Sequence, residues 1–194
     1  MSATHMFHWR SLRQLTLCDV PTPLHNWLRD EGSLTQRLKQ ACSGHGSFRV
    51  IPQFTGIGRA RVDEAQALGL LPNQWVYRRS VELRCGTRGL VFARTVIPLE
   101  DLDRSLRQLV RLGTRSLGAV LHAARRRERR HGGFVRIDTD DASCFDPALK
   151  LTQPAWARRA LYRMDDRRLL VQEVFLQTPG KLPRRRSLRV TPAR

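Results

Sequence analysis

The sequence predicts an α+β fold in a single domain, an antiparallel β-sheet flanked by helices. Two segments, 75–97 and 157–176, alternate apolar and polar residues around a short turn, which predicts two β-hairpins. Between these hairpins, apolar residues recur at the spacing of helices. Two hairpins with helices gathered between them favour one antiparallel sheet that is covered by helices.

The length and composition of the chain agree with one soluble domain. With 194 residues and 41% hydrophobic content, the chain is long enough to bury a core. We predict a leader at 1–19, the folded domain at 20–177 and a basic tail at 178–194. The sequence has no run of about 18 apolar residues and no apolar signal segment, which predicts a cytoplasmic protein without a membrane-spanning helix.

Two helices are predicted near the N-terminus. A Pro-Thr-Pro sequence precedes a short helix at 24–29. Ser33 and Gln36 have the spacing of a capping box, in which the serine hydroxyl accepts a hydrogen bond from the backbone N–H three residues later. This pair predicts that a second helix begins near Leu34.

The first strands follow these helices. Residues 48–54 are predicted as a strand, and Pro52 places it at an edge of the sheet because proline has no N–H to donate. The first hairpin joins strands at 75–85 and 90–97 through a turn that contains two glycines. The intervening residues 56–72 give no clear assignment.

Two more helices are predicted after the first hairpin. Leucines recur at helical spacing over 99–112, and Gly113 is placed to end that helix. Thr114 is predicted to cap the next helix, which puts Leu117 in its first turn and leads into the arginine cluster at 125–130.

The C-terminal third is predicted to complete the sheet. Residues 134–138 form a strand candidate, and the acidic residues 139–147 are predicted as a surface loop. The second hairpin joins strands at 157–163 and 168–176.

Net charge is the most extreme property of the chain. Lysine and arginine number 35 against 17 acidic residues, a formal charge of +18 that attracts anions. Much of the excess lies at 125–130 and in the tail, which we interpret as solvated, partly disordered surface. Two further hypotheses are faster capture of an anionic substrate and weak association of the tail with anionic membranes.

The cysteines and histidines form no recognisable motif. Because the cysteines are irregularly spaced, with no Cys-x-x-Cys pair, we interpret them as free and mostly buried thiols. The histidines have no metal-ligand spacing, and neither a glycine-rich phosphate loop nor a nucleophile elbow is present. The sequence therefore predicts chemistry without a cofactor. The cysteines are Cys18, Cys42, Cys85 and Cys144.

Two charged side chains lie on apolar faces of predicted strands. Alternation places Glu173 on the same face as Val171, and Arg79 on the same face as Val81. Burying an ionised group without a partner costs on the order of several kcal/mol in proteins, so Glu173 and Arg79 each need a partner. Two alternatives remain open from the pattern alone: a buried ion pair between strands, or a site for a ligand.

Six short segments have a distinctive order and spacing: WLxxEGSLTxRL (27–38), RxVxL (79–83), ARTVIP (93–98), LGxxxLG (112–118), WARR (156–159) and LLVxEVFL (169–176). Together they resemble the chorismate pyruvate-lyase family over roughly residues 20–177. The resemblance implies an antiparallel sheet with two helix-turn-helix flaps over the ligand. It also implies a monomer that converts chorismate to 4-hydroxybenzoate and pyruvate, toward ubiquinone, without metal or organic cofactor.

The resemblance also assigns site residues. Arg79 matches the family's carboxylate-binding arginine, and Glu173 matches the acid that contacts the ring hydroxyl, so these are the expected catalytic residues. Leu34 and Leu117 match the flap residues whose backbone N–H groups reach the ligand carboxylate, as helix N-termini favour anions. Arg158 is retained as a second anion contact. Other arginines on strands, Arg94 and Arg159, are interpreted as structural or solvated, as is Thr95.

Two other functions compete with this hypothesis. The fold type also resembles the effector-binding domain of some transcription regulators, which bind a small molecule without chemistry, but residues 1–20 are too short for a DNA-reading helix-turn-helix. A specific nucleic-acid partner is disfavoured because only 7% of the residues are aromatic and none lies in 125–133. The expected partners are therefore small molecules, chorismate and 4-hydroxybenzoate.

Overall fold

Six antiparallel strands form one sheet with helices on both of its faces. The computed structural model describes residues 6–11, 14, 19–102, 109–118, 121, 127–164 and 166–179. The strands are β1 (Phe48–Arg59), β2 (Trp75–Cys85), β3 (Arg88–Pro98), β4 (Arg127–Ile137), β5 (Ala155–Met164) and β6 (Arg167–Phe175). The helices with defined bounds are α1 (Thr22–Leu28), α2 (Leu34–Cys42), α3 (Val62–Leu68) and α4 (Ala142–Phe145). This architecture confirms the predicted fold class.

The strands follow the order β1, β2, β3, β6, β5, β4 across the sheet. Both predicted hairpins are confirmed, as β2 pairs with β3 and β5 pairs with β6. Gly86 in the first hairpin turn has φ 61°, a left-handed conformation that favours glycine. Pro52 lies on the edge strand β1, as predicted, beside an irregularity in the pairing with β2. β1 continues to Arg59, and α3 occupies part of the region that the sequence left unassigned.

The two faces of the sheet pack against different helices. Val81 and Leu83 of β2 belong to the core cluster that also contains the apolar residues of α1 and α2. Val76 of the same strand packs on the opposite face with Leu68 of α3. Because successive side chains of a strand alternate between faces, one strand serves both cores. None of the helices among the described residues is long and apolar enough to cross a membrane.

The first flap, which consists of α1, the turn at 29–33 and α2, agrees closely with the sequence pattern. α1 covers most of the predicted 24–29, and α2 begins at Leu34. The Ser33 hydroxyl accepts a hydrogen bond from the backbone N–H of Gln36 at 3.3 Å, as the capping spacing predicts. This contact confirms the predicted start of the second helix.

The second helical region departs from the prediction at its cap. The predicted helix over 99–112 begins as a single 3₁₀ turn, Leu99–Asp101, and residues 103–108 lie outside the described part of the chain. Thr114 and Arg115 form a turn, and the backbone becomes helical at Leu117. The predicted cap at Thr114 is therefore wrong, because a hydrogen bond from the Arg115 N–H to the Leu112 carbonyl closes a turn there. Leu117 nevertheless lies in the first helical turn, as predicted.

The arginine cluster was predicted only in part, and the acidic insert was misassigned. β4 begins at Arg127, so the end of the cluster is a strand, although the Arg130 side chain is 76% exposed, as expected of a solvated surface. Residues 139–147 are not a surface loop, since they include α4 and bury Phe145 and Asp146. The reason is ionic and apolar pairing: the Asp146 carboxylate accepts from Arg94 at 2.7 Å, and the Phe145 ring meets Phe7 at 5.5 Å between centroids.

Residues 6–11 from the predicted leader pack on the domain. The backbone N–H of Arg10 donates to the Phe134 carbonyl, and the Phe134 N–H donates back, both at 2.8 Å. The Trp9 indole donates to the Asp63 carboxylate at 2.8 Å. The pair between Arg10 and Phe134 covers part of the open edge of β4.

Two of the four cysteines form a disulfide, so the prediction of free thiols is wrong for them. Cys42 at the end of α2 and Cys85 at the end of β2 are bonded, with 5.6 Å between their Cα atoms. Their separation of 43 positions hid the pair from the sequence. In the chain-entropy description, closing a loop of this length stabilises the fold by about 4 kcal/mol. Cys144 is an exposed thiol rather than a buried one, and Cys18 lies outside the described residues.

A buried ionic network holds the sheet to α3 and α4. Arg94 is only 1% exposed and donates to Glu64 and Asp146, each at 2.7 Å. Arg61 also lies 3.1 Å from the Glu64 carboxylate. Arg159 belongs to the same face, where burial lowers its pKa to about 10. The structural interpretation of Arg94 and Arg159 is confirmed, because their partners are side chains and carbonyls of the fold.

This network is expected to make stability depend on acid pH. Burial alone would raise the pKa of Glu64, but Arg61 and Arg94 lower it from 4.5 to about 2. A carboxyl whose pKa is lower in the folded state stabilises the fold above its unfolded pKa, and that contribution is lost as pH falls toward 2. The shift corresponds to about 3 kcal/mol. We expect wild-type protein to lose about 3 kcal/mol more of its unfolding free energy than Glu64→Gln between about pH 6 and pH 2 in urea titrations.

Asp166→Asn is the matched control for the acid experiment. Asp166 pairs with Arg163 at 3.6 Å on the surface, where an ion pair contributes little. The unfolding free energy of Asp166→Asn should change with pH as that of the wild type does. If the unfolding free energy of Glu64→Gln also changes with pH as in the wild type, the network is not the cause of the acid dependence.

Candidate active site

A cavity lies between the sheet and the N-terminal ends of two helices. Including its mouth, it has an empty volume of about 700 Å³. Its floor comes from β2, β3, β5 and β6, and its cover comes from the turn before α2 and the turn before Leu117. All four site residues expected from the resemblance line this cavity: Leu34, Arg79, Leu117 and Glu173.

Arg79 and Glu173 stand at opposite ends of the cavity floor. Glu173 of β6 is paired with Ala93 of β3, which is paired with Val81 of β2. Arg79 lies two residues from Val81 on the same strand. Two strand spacings and two residues along a strand separate the Cα atoms of Arg79 and Glu173 by about 12 Å. Their side chains can therefore contact two ends of one small molecule.

Arg79 contacts the second flap, by which we mean the turn at 113–116 and the helix that begins at Leu117, and it has further donors without a partner among the described residues. It is 4% exposed, and its Nη2 donates to the carbonyls of Gly113 and Arg115 at 2.9 and 3.0 Å. Burial lowers the pKa of Arg79, opposed by Tyr77. No carboxylate among the described residues lies within ion-pair distance of Arg79, and only its Nη2 has hydrogen-bond partners there. A buried guanidinium of this kind favours an anionic ligand.

Glu173 pairs with Arg158, and not with Arg79 as one of the open alternatives had it. Its Oε2 accepts from the Arg158 Nε at 2.5 Å, so an ion pair between Arg79 and Glu173 does not form. Within the described part of the chain, Oε1 has no hydrogen-bond partner. Glu173 is 16% exposed and lines the cavity, so this oxygen is available to a ligand hydroxyl.

Arg158 also lines the cavity, where we expected a second anion contact. Its side chain is 2% exposed. Besides the bond to Glu173, its Nη1 donates to the carbonyls of Trp27 and Asp30, both at 2.6 Å. Two of its nitrogens are therefore engaged by the protein itself.

Two helix N-termini face the cavity and meet there. The N–H groups of Leu34 and Thr35, at the start of α2, have no hydrogen-bond partner among the described residues, as is normal for a first turn. A Cβ on Gly118 would lie 3.4 Å from the hydroxyls of Ser33 and Thr35, so the second flap touches the first. Both helix N-termini and the Arg79 guanidinium add positive potential to the cavity.

Several cavity residues were missed or assigned otherwise from the sequence. Thr95 and Tyr162 line the cavity. Alternation could have found both, because Thr95 shares a strand face with Ala93 on β3 and Tyr162 shares one with Arg158 on β5. Glu31 and Ser116 also line it, but they lie in turns, where alternation carries no signal, and the residues of a turn give no direction for a side chain. A basic groove adjoins the cavity at Val50 and Ser116 and is lined by Lys39, Arg49 and Arg115.

Comparison with known proteins gives a consistent result. The profile of the family described as chorismate lyase matches residues 5–186. A protein of Methylococcus capsulatus named "Probable chorismate pyruvate-lyase" is 40% identical over 164 residues, which cover 82% of this chain and 98% of that protein. A protein of the same name from Chromohalobacter salexigens is 41% identical over 150 residues, covering 77% of this chain and 78% of that protein.

Solved structures show the same fold at low sequence identity. The effector domain of PhnF from Mycobacterium smegmatis has a TM-score of 0.50 at 16% identity, covering 74% of this chain and 88% of that chain. PhnF from the same organism has a TM-score of 0.52 at 16% identity, covering 76% and 64%. At this identity the likeness concerns the fold alone.

Proposed function

This chain belongs to the chorismate lyase family, and we propose that it converts chorismate to 4-hydroxybenzoate and pyruvate. The observation that carries the proposal is one cavity lined by two helix N-termini, with Arg79 and Glu173 at opposite ends of its floor. Chorismate has a ring carboxylate and a hydroxyl at opposite ring positions. The ring carboxylate would lie at the Arg79 end, and the C4 hydroxyl at the Glu173 end.

The carboxylate end of the cavity would bind and orient the substrate. The Arg79 donors that have no partner among the described residues can donate a charge-assisted hydrogen bond to the ring carboxylate. The backbone N–H groups of Leu34 and Leu117 would donate to the same carboxylate, supported by the helix dipoles. This grip would hold the ring in one reactive orientation and exclude water.

The hydroxyl end would assist the elimination. The ether bond between C3 and the enolpyruvyl oxygen breaks, the C4 hydrogen leaves as a proton, and the ring becomes aromatic. The released enolpyruvate takes up a proton to become pyruvate. Glu173 would accept a hydrogen bond from the C4 hydroxyl and assist the movement of the C4 proton. Aromatisation supplies the driving force, so orientation and charge stabilisation are the enzyme's main tasks.

A non-catalytic effector-binding domain is the alternative. Its support is the shared fold with the effector domain of PhnF, whereas relatives that carry the lyase name are about 40% identical over most of the chain. The cavity would serve either function. The alternative predicts that the protein binds chorismate or 4-hydroxybenzoate without consuming it.

One assay distinguishes the two functions. Purified protein is incubated with chorismate, 4-hydroxybenzoate is followed by absorbance, and pyruvate is measured with a coupled dehydrogenase. Equal amounts of both products, at a rate proportional to protein concentration, are expected. Binding in calorimetry without product formation would support the effector domain and overturn the lyase.

Several finer expectations stay predictions. The product would enter ubiquinone synthesis, as the resemblance implies. The basic groove at Lys39, Arg49 and Arg115 is placed to attract a dianion toward the cavity. Residues 180–194, which include most of the basic tail, lie outside the described residues, so attraction of the tail to anionic membranes rests on charge alone. The monomeric state and the cytoplasmic location are predictions as well.

A further inference from the structure

A buried arginine joins the floor of the cavity to the flap that covers it. From β5, Arg158 donates through Nε to the Glu173 carboxylate at 2.5 Å. Through Nη1 it donates to the carbonyls of Trp27 and Asp30 at 2.6 Å, with Leu28 at 3.4 Å. These carbonyls belong to the end of α1 and to the turn that leads into α2. One side chain therefore contacts both the acid and the flap.

The carbonyls at the end of α1 require a donor. The last carbonyls of a helix have no partner within the helix, and they form the negative end of its dipole. A guanidinium suits this position because it is planar and carries its donors on three nitrogens. The plane of Arg158 thus sets the position of the flap turn relative to the Glu173 carboxylate.

We propose that Arg158 is a positioning residue. It couples the closed position of the α1–α2 turn over the cavity to the orientation of the Glu173 carboxylate. This inference rests on the proposed function. When the turn covers the cavity, Arg158 holds Glu173 in place and Leu34, at the start of α2, lines the cavity. When the turn moves away from the cavity, Arg158 loses its carbonyl partners, and its guanidinium no longer holds the Glu173 carboxylate in one orientation. The acid is then correctly oriented only under a closed flap.

A neighbouring arginine offers a matched comparison. Arg129 of β4 also donates to the Asp30 carbonyl, at 3.3 and 3.4 Å. It makes no hydrogen bond or ion pair with Glu173 among the described residues. Arg129→Lys therefore removes two long contacts to the same turn, while the shorter bonds of Arg158 to the turn and to Glu173 stay in place.

The test measures chemistry and product release separately. Single-turnover conversion of chorismate with excess enzyme reports on chemistry, and stopped-flow displacement of 4-hydroxybenzoate reports on flap opening. Arg158→Lys keeps the positive charge, but its compact ammonium lacks the fork that reaches both partners. We expect single-turnover conversion to slow by about 10- to 100-fold and product release to speed up by about tenfold, because each lost charged hydrogen bond is worth about a factor of ten or more.

The control and a double variant separate this role from simple loosening of the flap. Arg129→Lys should change either rate by less than about threefold. In a Glu173→Gln background, Arg158→Lys should still speed release but should no longer slow conversion, as expected for two residues that act together. Wild-type rates in Arg158→Lys, or equal effects of the two lysine variants, would overturn the proposal.

A reciprocal measurement covers the case in which Arg158→Lys does not fold. Coupling acts in both directions, so Glu173→Gln should speed hydrogen exchange of the backbone amides at 29–33 by about tenfold. Unchanged exchange there would overturn the proposal. Failure of wild-type protein to consume chorismate would overturn the proposed lyase alone, because displacement of 4-hydroxybenzoate and hydrogen exchange still report on Arg158.

Discussion

Replacing Glu173 with glutamine is expected to slow conversion of chorismate by about 100- to 10,000-fold, the range typical of a lost acid–base group. Glutamine has nearly the same shape but cannot take up a proton. Its amide oxygen can still accept a hydrogen bond from Arg158, but the bond is weaker because the acceptor is no longer charged, so the Arg158 contacts to the Trp27 and Asp30 carbonyls are loosened rather than lost. The fold should therefore be retained. Single-turnover kinetics measures the effect, and thermal unfolding checks the fold.

Binding of the product separates chemistry from recognition in the same variant. Glu173→Gln should weaken 4-hydroxybenzoate binding in calorimetry by less than about tenfold, because the amide still contacts the hydroxyl. Glu82→Gln is the matched control, since Glu82 pairs with Arg84 at 2.9 Å on the other face of β2. It should turn over chorismate at the wild-type rate. Wild-type turnover by Glu173→Gln would remove Glu173 from the mechanism.

Removing the Arg79 side chain is expected to weaken 4-hydroxybenzoate binding by about 100-fold or more, because at least one charge-assisted contact to a buried carboxylate is lost. The structure adds a second consequence. Arg79 also holds the carbonyls of Gly113 and Arg115, so Arg79→Ala loosens the second flap as well. Calorimetry of Arg79→Ala with 4-hydroxybenzoate gives the total effect.

A ligand without a carboxylate isolates the ionic contact of Arg79. Wild-type protein should prefer 4-hydroxybenzoate strongly over 4-hydroxybenzyl alcohol, and Arg79→Ala should lose most of this preference. Loosening of the flap alone would weaken both ligands alike and keep the preference. Arg78→Ala is the matched control, because the adjacent Arg78 points to the other face, where it stacks on Phe54 at 4.9 Å. Product affinity unaltered by Arg79→Ala would refute the assignment.

Much of the fold could be predicted because its signals are local. The hairpins follow from alternation over a few residues, and the start of α2 follows from the spacing of Ser33 and Gln36. The errors fall where a distant partner overrides the local pattern. Residues 139–147 look like an acidic loop until Asp146 meets Arg94, 52 positions away. The bond between Cys42 and Cys85 has no local signal at all.

The candidate site divides in the same way. Alternation and the ordered motifs were sufficient to place Arg79 and Glu173 on inward faces, and capping placed Leu34 at a helix N-terminus. The partners of these charges were decided only by the tertiary structure. Arg158 donates to Glu173 of the neighbouring strand and to the Trp27 carbonyl, which lies 131 positions away in the sequence. Strand order and flap docking bring these groups together, and both depend on long-range packing that local sequence patterns do not encode.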